Sequence, residues 1–312
     1  MNNMLWLIRR EVWENRSLWI APLVVAGVIL IIAAFGGIHV GDGGNFNFGS
    51  SDSGIELSQQ DQENIRNGLS QSLDHKQIIY AITLSTFTAV QLFTMVIVLF
   101  FYLLDSLLAE RKDRSILFWK SLPVSDTEVV LSKLLIAAVV VPLFVLVVSS
   151  ALQVLFALVW SIRFNDTPLG DALMAWDGPT WIKLQGSFLV VIVTAILWYL
   201  PLIAYLMVVS VWARRNAFLW AVLPPVAILT IENMILGSNR FGEFLGHRFI
   251  GVFELLEKKV GSVHGSGMVT VREVLDAVSG VLTSHETWLG VLVAAVMIFG
   301  VVRIRRYRDD NT

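Results

Sequence analysis

Six long stretches of this chain are apolar and free of Lys and Arg: Leu18–Ile38, Ile78–Leu104, Leu134–Trp160, Ser187–Val211, Ala217–Leu236 and Thr287–Val302. Inside a bilayer the backbone must satisfy its own N–H and C=O groups, so segments of this kind cross as helices. About 20 mainly apolar residues cover the hydrocarbon. Five stretches reach that length, and Arg303 cuts the sixth short. The expected fold is all-α. It is a polytopic integral membrane protein whose residues 1–312 form a single six-span domain.

The charges predict how it sits. All 23 Lys and Arg lie outside these stretches, and fourteen collect on one side. They are Arg9, Arg10 and Arg16; Arg111, Lys112, Arg114, Lys120 and Lys133; Arg214 and Arg215; and Arg303, Arg305, Arg306 and Arg308. Short basic segments beside span ends stay in the cytoplasm. Both termini, residues 105–133 and residues 212–216 are therefore expected to be cytoplasmic. Loops 39–77, 161–186 and 237–286 are expected outside.

Composition narrows the chemistry. Hydrophobic residues make up 55% of the chain and charged residues 15%, below the roughly 25% charged of soluble domains. The net charge of −2 averages basic inner loops with acidic outer ones, and no nucleic-acid partner is expected. The chain has no Cys, which excludes thiol catalysis and thiolate metal sites. All five His fall on the expected outer side. None has metal-ligand spacing, so no metal site is expected. There is no G-x-x-x-x-G-K-[ST] phosphate loop, and the chain has no ATPase of its own.

The loops carry their own patterns. Residues 1–16 read as an amphipathic helix on the inner membrane surface, with Met1, Leu5, Ile8 and Val12 at helical spacing. Trp6, Trp13 and Trp19 suit the interface. The first outer loop is polar, with six acids against Arg66 and Lys76, and residues 56–76 could hold a short helix. In 237–286, Phe241, Phe244, Leu245, Phe249, Phe253 and Leu256 form one helical stripe. Val271, Val274, Leu275, Val278, Val281 and Leu282 form another. Two outer amphipathic helices between spans five and six are expected. The Pro224-Pro225 pair is expected to kink or interrupt span five.

Loop 105–133 holds the sharpest pattern. Ser125 with Glu128 three residues on makes a capping box opening the helix that becomes span three. Before it, Ile116, Leu117 and Trp119 present an apolar edge among Glu110, Arg111, Asp113, Arg114 and Lys120, and Pro123 marks a break. Glu110-Arg111, Ser115, Ile116-Leu117, Leu122-Pro123-Val124-Ser125, Glu128 and Lys133 resemble the motif of permease subunits of ATP-binding-cassette transporters in the type-2 export class. Arg114 and Ser132 stand where that family often has Gly. The resemblance implies a six-span subunit that pairs with a second permease chain, identical or not. It implies separate cytoplasmic ATPase subunits that bind ATP and Mg. It makes 105–133 the coupling loop, with Glu110, Arg111, Asp113, Arg114, Ser115, Ile116, Leu117, Trp119, Lys120, Pro123, Ser125 and Glu128 as coupling residues. It places the chain in a bacterial inner membrane among lipids, with no catalytic residue and no cofactor of its own.

Polar residues within the spans are few. Ionisable groups there are expensive and point to function. Gln91, Glu232 and Asn233 are candidates for the translocation path or gate, and Gln91 and Gln153 also read as interhelical hydrogen-bonders. Its position near the span's outer end favours reading Glu232 as a snorkelling or hydrogen-bonded acid over a role in the path. A subunit transmitting force to an outer partner without moving solute is the alternative within the class. An ion-driven carrier would need buried carboxylates or paired broken helices. An intramembrane enzyme would need a polar cluster in the bilayer.

Overall fold

The computed structural model describes residues 3–35, 37–40, 46–49, 73–112, 124–163, 178–260 and 271–307. Among them the chain is helical apart from one short ribbon. Helix α1 (Asn3–Glu14) leads into α2 (Ser17–Phe35). Strands β1 (Gly37–Val40) and β2 (Phe46–Gly49) then pair antiparallel, Gly37 opposite Gly49 and Val40 opposite Phe46. Next come α3 (Leu73–Asp105) and the short α4 (Leu108–Lys112). Helix α5 (Asp126–Leu135) continues through a π turn, Ile136–Val140, into α6 (Val141–Arg163). They are followed by α7 (Gly178–Trp212) and α8 (Ala217–Ile231), the latter with a π turn at Glu232–Leu236. The last three are α9 (Arg240–Val260), α10 (Val271–Leu282) and α11 (His285–Tyr307).

Six helical runs are long and apolar enough to cross a membrane: Ser17–Phe35, Thr83–Lys112, Asp126–Arg163, Trp181–Trp212, Ala217–Ile235 and His285–Tyr307. Their ends differ from those of the uncharged stretches. Helix α2 stops at Phe35, and Ile38 belongs to β1. Helix α11 runs past Arg303 to Tyr307, because cations are favourable in a helix's last turns.

The prolines act locally. Pro142 follows a π turn, where its ring would otherwise meet the Ala138 carbonyl. Pro224 and Pro225, expected to kink or interrupt the span, lie inside α8 without interrupting it. Pro225 has no N–H for the Ala221 carbonyl, and the Tyr205 hydroxyl donates to that carbonyl instead at 2.9 Å. The irregularity falls about two turns later, at Glu232–Leu236, where Gly237 ends the helix in the left-handed region at φ 58°, a conformation that suits glycine.

The core runs through α2, α3, α5, α6, α7 and α11. Leu18, Leu103, Val130, Ile136, Val145, Met207 and Val301 are buried in one cluster, and α7 packs most extensively on α11. Gln153 knits the bundle further along. It donates to the Leu84 carbonyl and Thr88 Oγ1, and it accepts from Trp181 Nε1 and Gln185 Nε2. Outward side chains such as Phe93, Val147, Leu223 and Val296 are exposed and apolar, as a lipid-facing surface requires. Helix α8 buries only Ala217 and Ala221.

Helix α1 also presents a face to the rest of the protein. Leu5 is 66% exposed, while Leu7 and Glu11 are buried. An acid holds a place on the inward face because a buried lysine faces it.

Candidate functional site

The base of loop 105–133 closes on a buried ion cluster. Helix α3 ends at Asp105, and the Ser106-Leu107 turn redirects the chain into α4. That turn is clamped to the end of α7. Ser210 Oγ accepts the backbone N–H groups of Leu107 at 3.0 Å and Leu108 at 3.2 Å. Arg111 Nη2 donates to the carbonyls of Ser210 and Ala213, each at 2.7 Å. These are the orphan carbonyls of a helix end, a natural seat for a guanidinium.

With Arg111 turned to α7, Glu110 points inward. Its carboxylate meets Arg305 Nη1 of α11 at 2.6 Å, Lys133 Nζ of α5 at 3.0 Å and Arg10 Nη2 of α1 at 3.5 Å. Lys133 Nζ also pairs with Glu11 Oε1 at 2.5 Å. Arg305 Nε reaches Asp126 Oδ1 at 3.0 Å. Arg10 spans Glu11 and Glu14 at 3.3 and 3.1 Å. The Tyr102 hydroxyl donates to Glu11 at 3.5 Å. Three cations and four acids thus tie α1, α4, α5 and α11 together. Lys133 is only 1% exposed. Charges buried this deeply persist only when paired and hydrogen-bonded.

The capping box is in place. Glu128 N–H donates to Ser125 Oγ at 3.2 Å, and Ser125 N–H donates to Glu128 Oε2 at 2.8 Å. It starts α5 so that Asp126 meets Arg305 and Lys133 faces the cluster. Asp113, Arg114, Ser115, Ile116, Leu117, Trp119, Lys120 and Pro123 lie outside the described residues.

The gate candidates do not converge. Gln91 is fully buried, and its Nε2 donates to the Pro22 carbonyl at 3.2 Å, joining α3 to α2. Glu232 accepts from the Ser238 hydroxyl and from the N–H groups of Arg240 and Phe241 at 2.8, 2.8 and 2.9 Å. It therefore caps α9 in the manner of an N-terminal acid. Asn233 is exposed.

At the opposite end, α9 is held to α7 and α11. The Arg248 guanidinium lies 4.6 Å over the Trp198 ring, and Trp198 Nε1 donates to the Arg248 carbonyl at 2.9 Å. His247 Nε2 meets Glu286 Oε2 at 2.8 Å. Burial pushes the Arg248 guanidinium below the usual arginine range, and Glu286 opposes the shift.

Sequence reasoning singled out Glu110 and Lys133 but neither Arg305, the partner of Glu110, nor Glu11, the partner of Lys133. The available signal was Glu11 four residues after Leu7, an acid in line with an apolar position on a short amphipathic helix. Comparison with known proteins finds no matching family model, no similar curated protein and no similar solved structure.

Proposed function

We propose that this chain is the membrane-spanning permease subunit of an ATP-driven export transporter. A separate cytoplasmic ATPase binds ATP and Mg and couples through the loop after the second span. A second permease chain completes the pathway. The chain lies in a bacterial inner membrane with both termini and the ion cluster on the cytoplasmic side.

One observation carries the reading. Glu110 and Lys133, at the two ends of the motif, meet 3.0 Å apart inside the protein. The two ends of the loop are therefore joined at a base bonded to α1, α7 and α11. A push on its tip cannot be absorbed locally and is passed to those helices. Coupling needs that stiffness, because an interface transmits motion only through elements that move as units. A loop serving only as a positive topology marker needs no such base.

The test is affinity purification of the tagged chain from its native membrane, followed by ATP turnover in vesicles. An ATPase should co-purify in a one-to-one ratio with the permease. Truncating Trp119 to Ala together with Arg114→Glu should weaken that association by about 30-fold, the loss usual for a central aromatic anchor. Bundle unfolding should be unchanged. Transport by the chain alone, or unchanged association and turnover in the variant, would overturn the proposal.

A further inference from the structure

The same end of the bundle holds a feature that coupling does not use. A cavity of about 590 Å³ opens between the α1–α2 turn, the end of α3, α4 and the start of α8. Lys112 and Arg215 line it with Asn15, Asn216 and Asp105. Among the described residues Lys112 and Arg215 make no hydrogen bond or ion pair. Their charges are uncommitted, unlike those of the ion cluster beside them. The first turn of α8 opens on the same space, and its N-cap residue Asn216 makes no side-chain cap. Its backbone N–H groups add to the positive potential there.

The remaining wall is apolar and turned outward. Phe101, Phe218 and Leu219 line the cavity and are 57%, 51% and 47% exposed. They belong to helices that cross the membrane, so this wall continues into the lipid-facing surface. The level of the cavity is marked independently. Trp13 and Trp19 flank the Asn15–Ser17 turn, and Trp212 and Trp220 flank the turn before α8. All four are exposed. Exposed tryptophans gather at the headgroup level.

We infer that this cavity binds the phosphodiester headgroup of an anionic phospholipid, with the acyl chains lying along Phe101, Phe218 and Leu219. The chemistry is complementary on both counts: two free cations for the phosphate, and exposed aromatic and aliphatic carbon for the chains. Basic pockets between membrane helices on the cytoplasmic side are suited to such headgroups. A free phosphate ester would share the first feature and gain nothing from the second. Asp105 limits the affinity by placing one negative charge in the same lining. The site requires no ATPase, so its fate is separate from that of the coupling proposal.

The experiment is a titration of the purified full chain with phosphatidylglycerol in phosphatidylcholine micelles, read by native mass spectrometry. Wild type and the control Arg303→Gln should each retain one phosphatidylglycerol. Lys112→Gln with Arg215→Gln should weaken retention by about 30-fold, and Asp105→Asn should tighten it by about fivefold, at the increment usual per charge near an anionic surface. A gain of binding cannot come from misfolding, so the Asp105 variant keeps the test decisive if the double variant is unstable. Soluble glycerophosphate should not displace the lipid. Wild-type retention in the double variant, weaker retention in Asp105→Asn, or displacement by glycerophosphate would each overturn the assignment.

Discussion

Replacing Lys133 by Met tests whether the ion cluster is truly dry. The substitution keeps the volume and removes the charge. Lys133, Glu11 and Glu110 have side chains only 1%, 4% and 8% exposed. Removing one partner of a buried pair costs about 3–5 kcal/mol, because the orphaned charge stays out of water. Glu110 would keep Arg305 at 2.6 Å, and both acids would keep Arg10 at 3.3 and 3.5 Å. The lower end, about 3 kcal/mol, is therefore expected. Adding Glu11→Gln removes the orphaned acid. The double variant should recover part of the loss, with a coupling energy of at least about 1.5 kcal/mol, as for residues in one network. The assay is unfolding in mixed micelles on titration with dodecyl sulfate, followed by tryptophan fluorescence. If Lys133→Met falls within about 0.5 kcal/mol of wild type, as exposed substitutions do, the cluster is solvated and the reasoning fails.

Ser125→Ala should remove the α5 cap and cost about 1 kcal/mol in the same titration; no change would mean the exposed box is idle. At Gly290 a Cβ would collide with the Arg248 guanidinium and lie 3.1 Å from Pro201 Cγ. Gly290→Ala should therefore cost about 1–3 kcal/mol as an overpacked contact. A neutral result would mean that Arg248 swings aside freely.

The helical membrane domain was legible because lipid leaves the backbone little choice. The Ser125–Glu128 cap was legible because its partners are three residues apart, and local geometry settles it. Helices α9 and α10 were legible through their apolar stripes. The ribbon β1–β2 was not, since its four-residue strands sit among Gly, Ser and Asn with no alternation strong enough to mark them. How α8 continues through the proline pair was not legible, because sequence cannot reveal that Tyr205, sixteen residues before Ala221, supplies the missing donor. The ion cluster was half legible. Glu110 and Lys133 stood out in a motif, but their partners Glu11 and Arg305 lie 122 and 195 residues from Lys133 and Glu110 respectively. Only the folded topology joins them. Arg111 sat beside Glu110 in sequence, yet its guanidinium bonds the end of α7, a partner about 100 residues away that sequence does not reveal.

Why an ion cluster should stand where an apolar core would serve follows from the solvent. In water, burying leucines drives helices together; in lipid the tails are as apolar as leucine, and that drive vanishes. A purely apolar seam between α5, α11 and α1 would tolerate sliding by a turn at little cost. The cluster does not. Glu110 pairs with cations on three different helices, and a shift of one turn, about 5.4 Å, would break each of those contacts at once. Buried charge therefore fixes register here, the best-attested use of such groups. The proposed coupling rests on that fixed register, which joins spans two, three and six at the base of the loop. Helix α8, with two buried residues, takes no part in the cluster.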